Sequence, residues 1–304
     1  MYTHLAHTLP ATGPSGLCLV RTWHADDHRF AMFSDTSRRL LATCKRRLDR
    51  TLTPHLSLRC THVRGHGGAK AAVAFAHDMA RARHFVARFD IRSYYERIDH
   101  RVLLAQLAQM GIDQPTHRIV RDYLGLPDTS ATGTGMVAGG AISPLLGAVY
   151  LTPLDRAMEQ LERGRRVGYR RFMDDYVIFA PTRHALRAAI RVMYRVLEQL
   201  KLHVHPHKRF IGKTTRGFDF LGYHIHPARR LRPAAQSLTR LLTRSRRLHE
   251  HGATQQRLRR YVMRWYCWLH QGLGARVSCG GGFTRIWVYV LKHLTITGYH
   301  LHPQ

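Results

Sequence analysis

Acidic residues are scarce in this chain. Its 304 residues hold 19 Asp and Glu against 48 Lys and Arg, a formal net charge of +29. That deficit disfavours a basic partner and points to a polyanion. The cations form no single tail. They recur at Lys45–Arg47, Arg81–Arg88, Arg163–Arg171, Arg229–Arg232, Arg240–Arg247 and Arg257–Arg264, which implies broad surfaces rather than one tethering arm. Lysine is scarce as well, 6 against 42 Arg. A coding bias toward G and C explains part of that choice but not the missing acids, and Arg forks suit phosphate. Cysteine is sparse: Cys18, Cys44, Cys60, Cys267 and Cys279 show no C-x-x-C spacing. This argues against a zinc knuckle or a disulfide scaffold and for free thiols in a reducing compartment. No apolar run reaches the roughly 18–20 residues of a membrane span. No signal-peptide pattern opens the chain, and no internal repeat is visible. With 44% hydrophobic residues, the chain is no disordered basic tail. The expectation is a cytoplasmic, nucleic-acid-facing globular protein with no membrane partner.

What is present organises as follows. Residues 1–34 read as a loosely structured arm with one short strand near Leu17–Trp23. Ser37–Leu52 has helical periodicity, with Leu40, Leu41, Cys44, Leu48 and Leu52 on one face and Asp35 or Thr36 as the cap. A Gly-rich turn at 63–68 leads to a helix over 69–85. A strand over Phe85–Ile91 and helices at 101–110 and 115–124 follow. After a flexible loop at 133–140 comes one long helix over 143–161, with Pro144 in its first turn. Beyond a hairpin lie a helix at 182–200, a strand at 202–205 and strands over 218–225 turning at Gly222. From about residue 235 the pattern changes to basic helices, which marks the best domain boundary.

The hairpin is the most informative segment. In YRRFMDDYVIFA, residues 169–180, Asp174 and Asp175 sit between two runs of strand formers and so fall at a turn. A rigid carboxylate pair can share divalent cations. The candidate third carboxylate is Asp90. Phe85, Ala87 and Phe89 alternate with Val86, Arg88 and Asp90, so Asp90 ends a strand and can point off the core face. Asp99 reads instead as the cap of the next helix.

Three segments in order, DIRSYY from Asp90, GGAISPLL from Gly139 and FMDD from Phe172, resemble motifs A, B and C of reverse transcriptases. LKLHVHPHK, residues 200–208, resembles motif D, and FDFLGYHI, residues 218–225, resembles the primer-grip motif E. VRGHGGAKAAVAF, residues 63–75, resembles the fingers element before motif A. The resemblance spans about residues 55–275 and is greatest to bacterial enzymes of group II introns, retrons and diversity-generating retroelements.

The resemblance implies an α+β right-hand polymerase fold. The N-terminal arm and fingers would occupy 1–88, the palm 89–235, a helical thumb 236–276 and a tail 277–304. It implies an RNA-directed DNA polymerase using two Mg²⁺ ions, with Mn²⁺ as a substitute. Asp90, Asp174, Asp175 and the Ile91 carbonyl would hold the ions, and Lys208 would donate a proton to pyrophosphate. Tyr95 would exclude a ribose 2′-OH, while Ala138, Gly139 and Arg29 would meet the dNTP. Gly140, Ser143, Pro144, the Phe220–Leu221–Gly222 turn, Arg260 and Arg264 would meet template and primer. Partners implied are an RNA template, in particular a structured non-coding RNA of a retroelement or antiphage system, and a DNA primer or product. A homo-oligomer or an accessory protein stays open. Alternatives are a template-independent or RNA-synthesising nucleotidyltransferase, or an idle RNA-binding scaffold.

Two departures stand out. The family's Gln before the first Gly is Ala138 here, and Ala cannot hydrogen-bond a sugar or base, so weaker checking of the incoming nucleotide is expected. No R-P-x-x-I-P segment is visible in the fingers, and Arg29, Arg21, Arg46 or Arg47 are its substitutes. His203, His205 and His207 alternate, but Pro206 interrupts them and no acid is adjacent, so they are not expected to bind metal. Trp265 and Trp268, among the thumb arginines, read as core.

Overall fold

The computed structural model describes residues 11–25, 28–164, 166–278 and 281–296. These fall into two compact units. One comprises residues up to Gly68 together with Phe85–Ile211, and the other Ala69–His84 together with the chain from Gly212 onward.

The first unit opens on a three-stranded antiparallel sheet, β1 (Ala11–Thr12), β2 (Cys18–Ala25) and β3 (His28–Phe33). The loose arm expected for residues 1–34 is therefore corrected over its described part. Its Gly and Pro residues make a tight turn, with the Gly13 N–H on the Leu17 C=O at 2.9 Å and Gly16 at φ +80°. Cys18–Ala25 and His28–Phe33 pair antiparallel, with a register shift between Leu19 and Arg21 that turns both Leu19 and Thr22 inward. The helix Asp35–Leu52 is capped by Ser34, whose hydroxyl accepts from the Ser37 N–H, not by Asp35 or Thr36. Leu41, Cys44, Leu48 and Leu52 form its buried stripe.

The central sheet carries the acidic residues. β4 (Phe85–Asp90), β5 (Gly168–Phe172) and β6 (Asp175–Ala180) are antiparallel, and β7 (Phe210–Lys213), whose first two residues belong to this unit, completes the order β5-β6-β4-β7. β5 is the end strand. Residues 59–61 run beside it: the Arg171 N–H bonds the Arg59 C=O at 2.9 Å and the Thr61 N–H bonds the Arg171 C=O at 2.8 Å.

The single helix expected over 143–161 is two helices, Ser143–Tyr150 and Thr152–Arg163. Pro153 has no N–H to offer Val149 and forces the break at Leu151. The strand expected at 202–205 is only an isolated bridge between Val204 and Ile91. That bridge still matters, because the His205 N–H bonds the Asp90 C=O at 2.8 Å and the Arg92 N–H bonds the His203 C=O at 2.9 Å. Asp99 caps its helix as expected, accepting from the Val102 N–H.

The second unit holds the helix Gly68–Ala82, nearly all of which lies here, and the sheet β8 (Phe218–Phe220), β9 (Tyr223–Ile225) and β10 (Arg232–Pro233). The helices Ala235–Glu250, Gln255–His270 and Gly282–Ile296 complete it. Leu241, Leu258, Val262, Val290 and Leu294 form their shared core, with Trp265 packed against it. Among the described residues, no helix is long and apolar enough to cross a membrane.

Candidate active site

In the β4–β6 register Asp90 stands directly opposite Asp175, and Asp174 is in the turn before β6. Like charges set opposite each other across strands repel, so this placement opposes folding unless something offsets it. Burial raises the Asp174 carboxyl to about 6, and the charges of Asp175 and Asp90 push the same way. Burial also raises Asp175, against the pull of Arg88. Two cations lean on the group. Arg88 Nη2 is 3.1 Å from Asp175 Oδ1, and Lys208 Nζ is 3.8 Å from Asp90 Oδ1.

Among the described residues, no three Asp, Glu, His or Cys groups converge closely enough to hold a metal ion as they stand. The donor set nonetheless suits a divalent cation: carboxylates are the hard oxygen ligands Mg²⁺ prefers, and these are close together, half-buried and mutually repelling. The Ile91 carbonyl takes no part in the hydrogen bonds with 203–205, which go through Asp90 and Arg92. Lys208 faces Asp90 in this arrangement.

The turn carrying Asp174 is clamped through Met173, a non-glycine residue at φ +57°. Its C=O accepts from Arg171 Nη1 at 2.8 Å, and its N–H donates to His62 Nδ1 at 3.0 Å. Arg171 is fully buried and forks onto Asp155, with Nε–Oδ1 at 2.9 Å and Nη2–Oδ2 at 2.5 Å. Tyr169 donates its hydroxyl to the same carboxylate at 2.9 Å. None of His62, Arg171, Asp155 or Arg88 was singled out from the sequence. Arg171 and Asp155 lie 16 residues apart, and nothing in the spacing marks them as partners.

Tyr95 lies in a short turn, Tyr95–Arg97, its ring stacked on Tyr94 at 5.6 Å. Burial, and then the Asp174 charge, raises its hydroxyl pKa, so the phenol stays protonated. A Cβ on Gly147 would lie 3.2 Å from the Tyr94 ring and 3.3 Å from the Tyr95 ring, so the glycine leaves room for both. Tyr94 is core, its hydroxyl donating to the Gly147 C=O at 2.5 Å.

The loop before the Ser143–Tyr150 helix is fastened to both neighbours. The Met136 N–H bonds the Tyr95 C=O at 2.8 Å, and the Ala138 N–H bonds the Arg29 C=O at 2.7 Å. Gly139 is exposed at φ +69°. Gly140 admits no side chain, since a Cβ there would fall 1.6 Å from the Tyr123 hydroxyl. Ser143 is fully buried and donates to the Val137 C=O at 2.7 Å, with the Tyr123 hydroxyl also at 2.7 Å. It shapes the loop from within rather than presenting itself to a template. Pro144 is exposed. The Arg29 guanidinium is largely buried, with Nη1 3.9 Å from Asp128 Oδ1.

In the second unit, β8 and β9 are joined through Leu221 and Gly222 at φ +47° and +84°, the paired positive values of a tight hairpin. Phe220 is buried, so only the turn itself is presented. A Cβ on Gly222 would lie 2.9 Å from the Trp268 ring. Trp268 is more exposed than the core position expected for it. Lys70 Nζ donates to the Tyr223 hydroxyl and the Trp268 C=O and lies 4.8 and 4.4 Å from their ring centroids. Burial lowers its pKa to about 8. Arg257, Arg260 and Arg264 are exposed along one helix.

The reverse transcriptase (RNA-dependent DNA polymerase) family model matches residues 24–225, about two thirds of the chain. This chain belongs to the reverse transcriptase family. Among curated proteins it is 26% identical over 177 residues to Protein YkfC of Escherichia coli strain K12, covering 46% of this chain and 46% of that protein. The chain thus spans about half the length of that relative. Among solved structures it is similar to telomerase from Candida albicans in complex with a fragment of telomeric RNA. That likeness has a TM-score of 0.54 and 11% identity, over 96% of this chain and 58% of that one. Apo telomerase from Candida tropicalis gives 0.52 and 12%, over 74% and 56%. At these identities the likeness concerns the fold alone: an α+β fold of the right-hand polymerase type.

Proposed function

We propose that this reverse transcriptase family member copies an RNA template into DNA, with Asp90, Asp174 and Asp175 as its metal-holding carboxylates. The observation that carries the reading is the register that sets Asp90 opposite Asp175 beside a clamped Asp174, inside the segment the family model matches. When bound, divalent cations would activate a primer 3′-OH and neutralise the departing pyrophosphate. The chain's own groups prepare for this. The carboxylates gather negative charge at one end of a rigid sheet. Arg88 and Lys208 hold that charge in the meantime. The surface excess of arginine favours RNA backbone, and a structured non-coding RNA is the partner we assign, in retroelement or antiphage service.

Primer extension on an RNA template with dNTPs and Mg²⁺ tests the reading. Extension by the wild type on RNA supports it. Extension without template, or only with rNTPs, would replace it with another nucleotidyltransferase. No extension on any template would leave an RNA-binding scaffold.

Two substitutions sharpen the nucleotide site. Tyr95→Ala is expected to lower discrimination against rNTPs on the order of tenfold to a hundredfold, because the gate acts by shape. Unchanged rNTP incorporation would remove Tyr95 from that role. Ala138→Gln is expected to lower misincorporation by restoring an amide to the loop beside Gly139. Sequencing of products from the two proteins checks it, and equal error spectra would refute it.

A further inference from the structure

His62 lies in the segment beside β5, far in sequence from the residues it joins. Its Nδ1 accepts the Met173 N–H at 3.0 Å, and its Nε2 is 3.0 Å from the Pro144 C=O. The same Nδ1 is 3.4 Å from Cys60 Sγ. Burial pushes the Cys60 thiol up to about 12, so it remains S–H, a weak donor. Two donors facing one nitrogen require a bare lone pair there. The hydrogen of a neutral ring must then sit on Nε2, where a carbonyl awaits it. The ring stands edge-on to Phe172, with centroids 5.9 Å apart. Burial, and then the Arg171 charge, lowers its pKa to about 4, so it is neutral at ordinary working pH.

We propose that His62 is a positioning residue for polymerisation: its neutral imidazole ties the Met173–Asp174 turn to the first turn of the Ser143–Tyr150 helix and so fixes where the Asp174 carboxylate stands. The role rests on the polymerase reading above. It fits the turn's own needs. A hairpin turn leaves Met173 with an N–H that the sheet does not use, and Arg171 already holds the C=O of the same residue. Taken together, the two bonds fix both polar groups of that residue. The second His62 bond reaches the helix behind the Gly139–Gly140 loop, so the two elements move as one.

Two near-isosteres separate the bonds. His62→Asn keeps an acceptor close to the Nδ1 place, whereas His62→Gln keeps a donor close to the Nε2 place. Steady-state primer extension should show His62→Ala and His62→Gln losing about 10- to 100-fold in kcat, the range typical of residues that orient metal ligands. KM for dNTP should stay within about twofold, and His62→Asn should retain activity to within about fivefold of the wild type. A general packing role would instead make Asn no better than Ala, and that result would overturn the proposal, as would an Ala variant within about twofold of the wild type. Melting curves accompany each variant; if Ala fails to fold, the Asn-against-Gln comparison decides. Nitrogen-15 NMR of the imidazoles, with the His62→Asn spectrum as the assignment control, gives a readout independent of activity. An Nε2–H tautomer at pH 7 is expected, and an Nδ1–H tautomer would overturn the proposal. A wild-type protein that incorporates nothing would overturn the polymerase reading and the kinetic role with it, while the tautomer still tests the geometry.

Discussion

Replacing Asp174 with Asn should abolish nucleotide incorporation and at the same time make the metal-free protein more stable. The loss follows from removing one of the carboxylates that would hold cations worth several kcal/mol at the reacting phosphate, a fall of roughly a thousandfold or more. The gain follows from the raised pKa. Asp174 titrates near 6 in the folded chain and near the ordinary carboxylate value when unfolded. Its relative contribution to stability is therefore complete below about pH 4 and is lost as pH rises through about 6. At pH 7.5 the folded chain carries a crowded charge that the unfolded chain does not feel. Asn has no such charge, so a gain on the order of 1–2 kcal/mol is expected after discounting for partial exposure, a Tm rise of roughly 2–5 °C. Calorimetry in chelator at pH 7.5 and at pH 4 checks both sides: the difference between variant and wild type should shrink toward zero in acid. Full activity in Asp174→Asn would remove Asp174 from the site. A lower Tm would show that the charged carboxylate stabilises the folded chain, against the raised pKa.

Replacing Arg171 with Met should be the most damaging single change in the first unit. The guanidinium and the Asp155 carboxylate are both fully buried and are joined by two hydrogen bonds. Removing one partner leaves a buried charge without its counterion, which costs about 3–5 kcal/mol. A chain of ordinary stability would be close to unfolding. The companion variant, Arg171→Met with Asp155→Leu, separates fold from function. Two apolar side chains can replace a buried pair with little loss or even a gain, so most of the stability should return, less the bond that Tyr169 gives Asp155. Incorporation should not return with it, because the Met173 C=O would still lack its donor. Denaturant titrations and primer extension on the single and double variants make a cycle. A double variant that is both stable and fully active would show that the buried pair serves the fold alone.

The acidic hairpin and its third partner were legible in the sequence because each sits at a local signature. Strand formers flank Asp174 and Asp175, and alternation puts Asp90 off the core face. The tight turn at Leu221–Gly222 was legible for the same reason. What escaped detection was relational. Arg171 reads as one more arginine in a chain with 42 of them, and only folding shows that it is fully buried and paired with Asp155. Ser143 carried a motif-based expectation of template contact, yet its hydroxyl is consumed by Val137 and Tyr123. Of the N-terminal strands only the one near Leu17–Trp23 was read, and it is β2; its partners were missed because Gly and Pro mark turns as readily as they mark loose chain. The break at Leu151 is signalled by Pro153, but Leu154, Met158 and Leu161 keep helical spacing past it, so the two helices read as one.

The short segment beside β5 has a consequence apart from chemistry. An end strand offers unpaired N–H and C=O groups to any other extended chain, the usual route to edge-to-edge aggregation. Here residues 59–61 cover part of that rim through Arg171, and the net charge of +29 keeps copies apart by mutual repulsion. The two protections differ in kind, since salt screens the second and leaves the first intact. Colloidal stability in concentrated salt therefore depends on a few backbone hydrogen bonds in the same segment that carries His62, so a change that loosens the turn would also uncover a surface on which the protein can stick to itself.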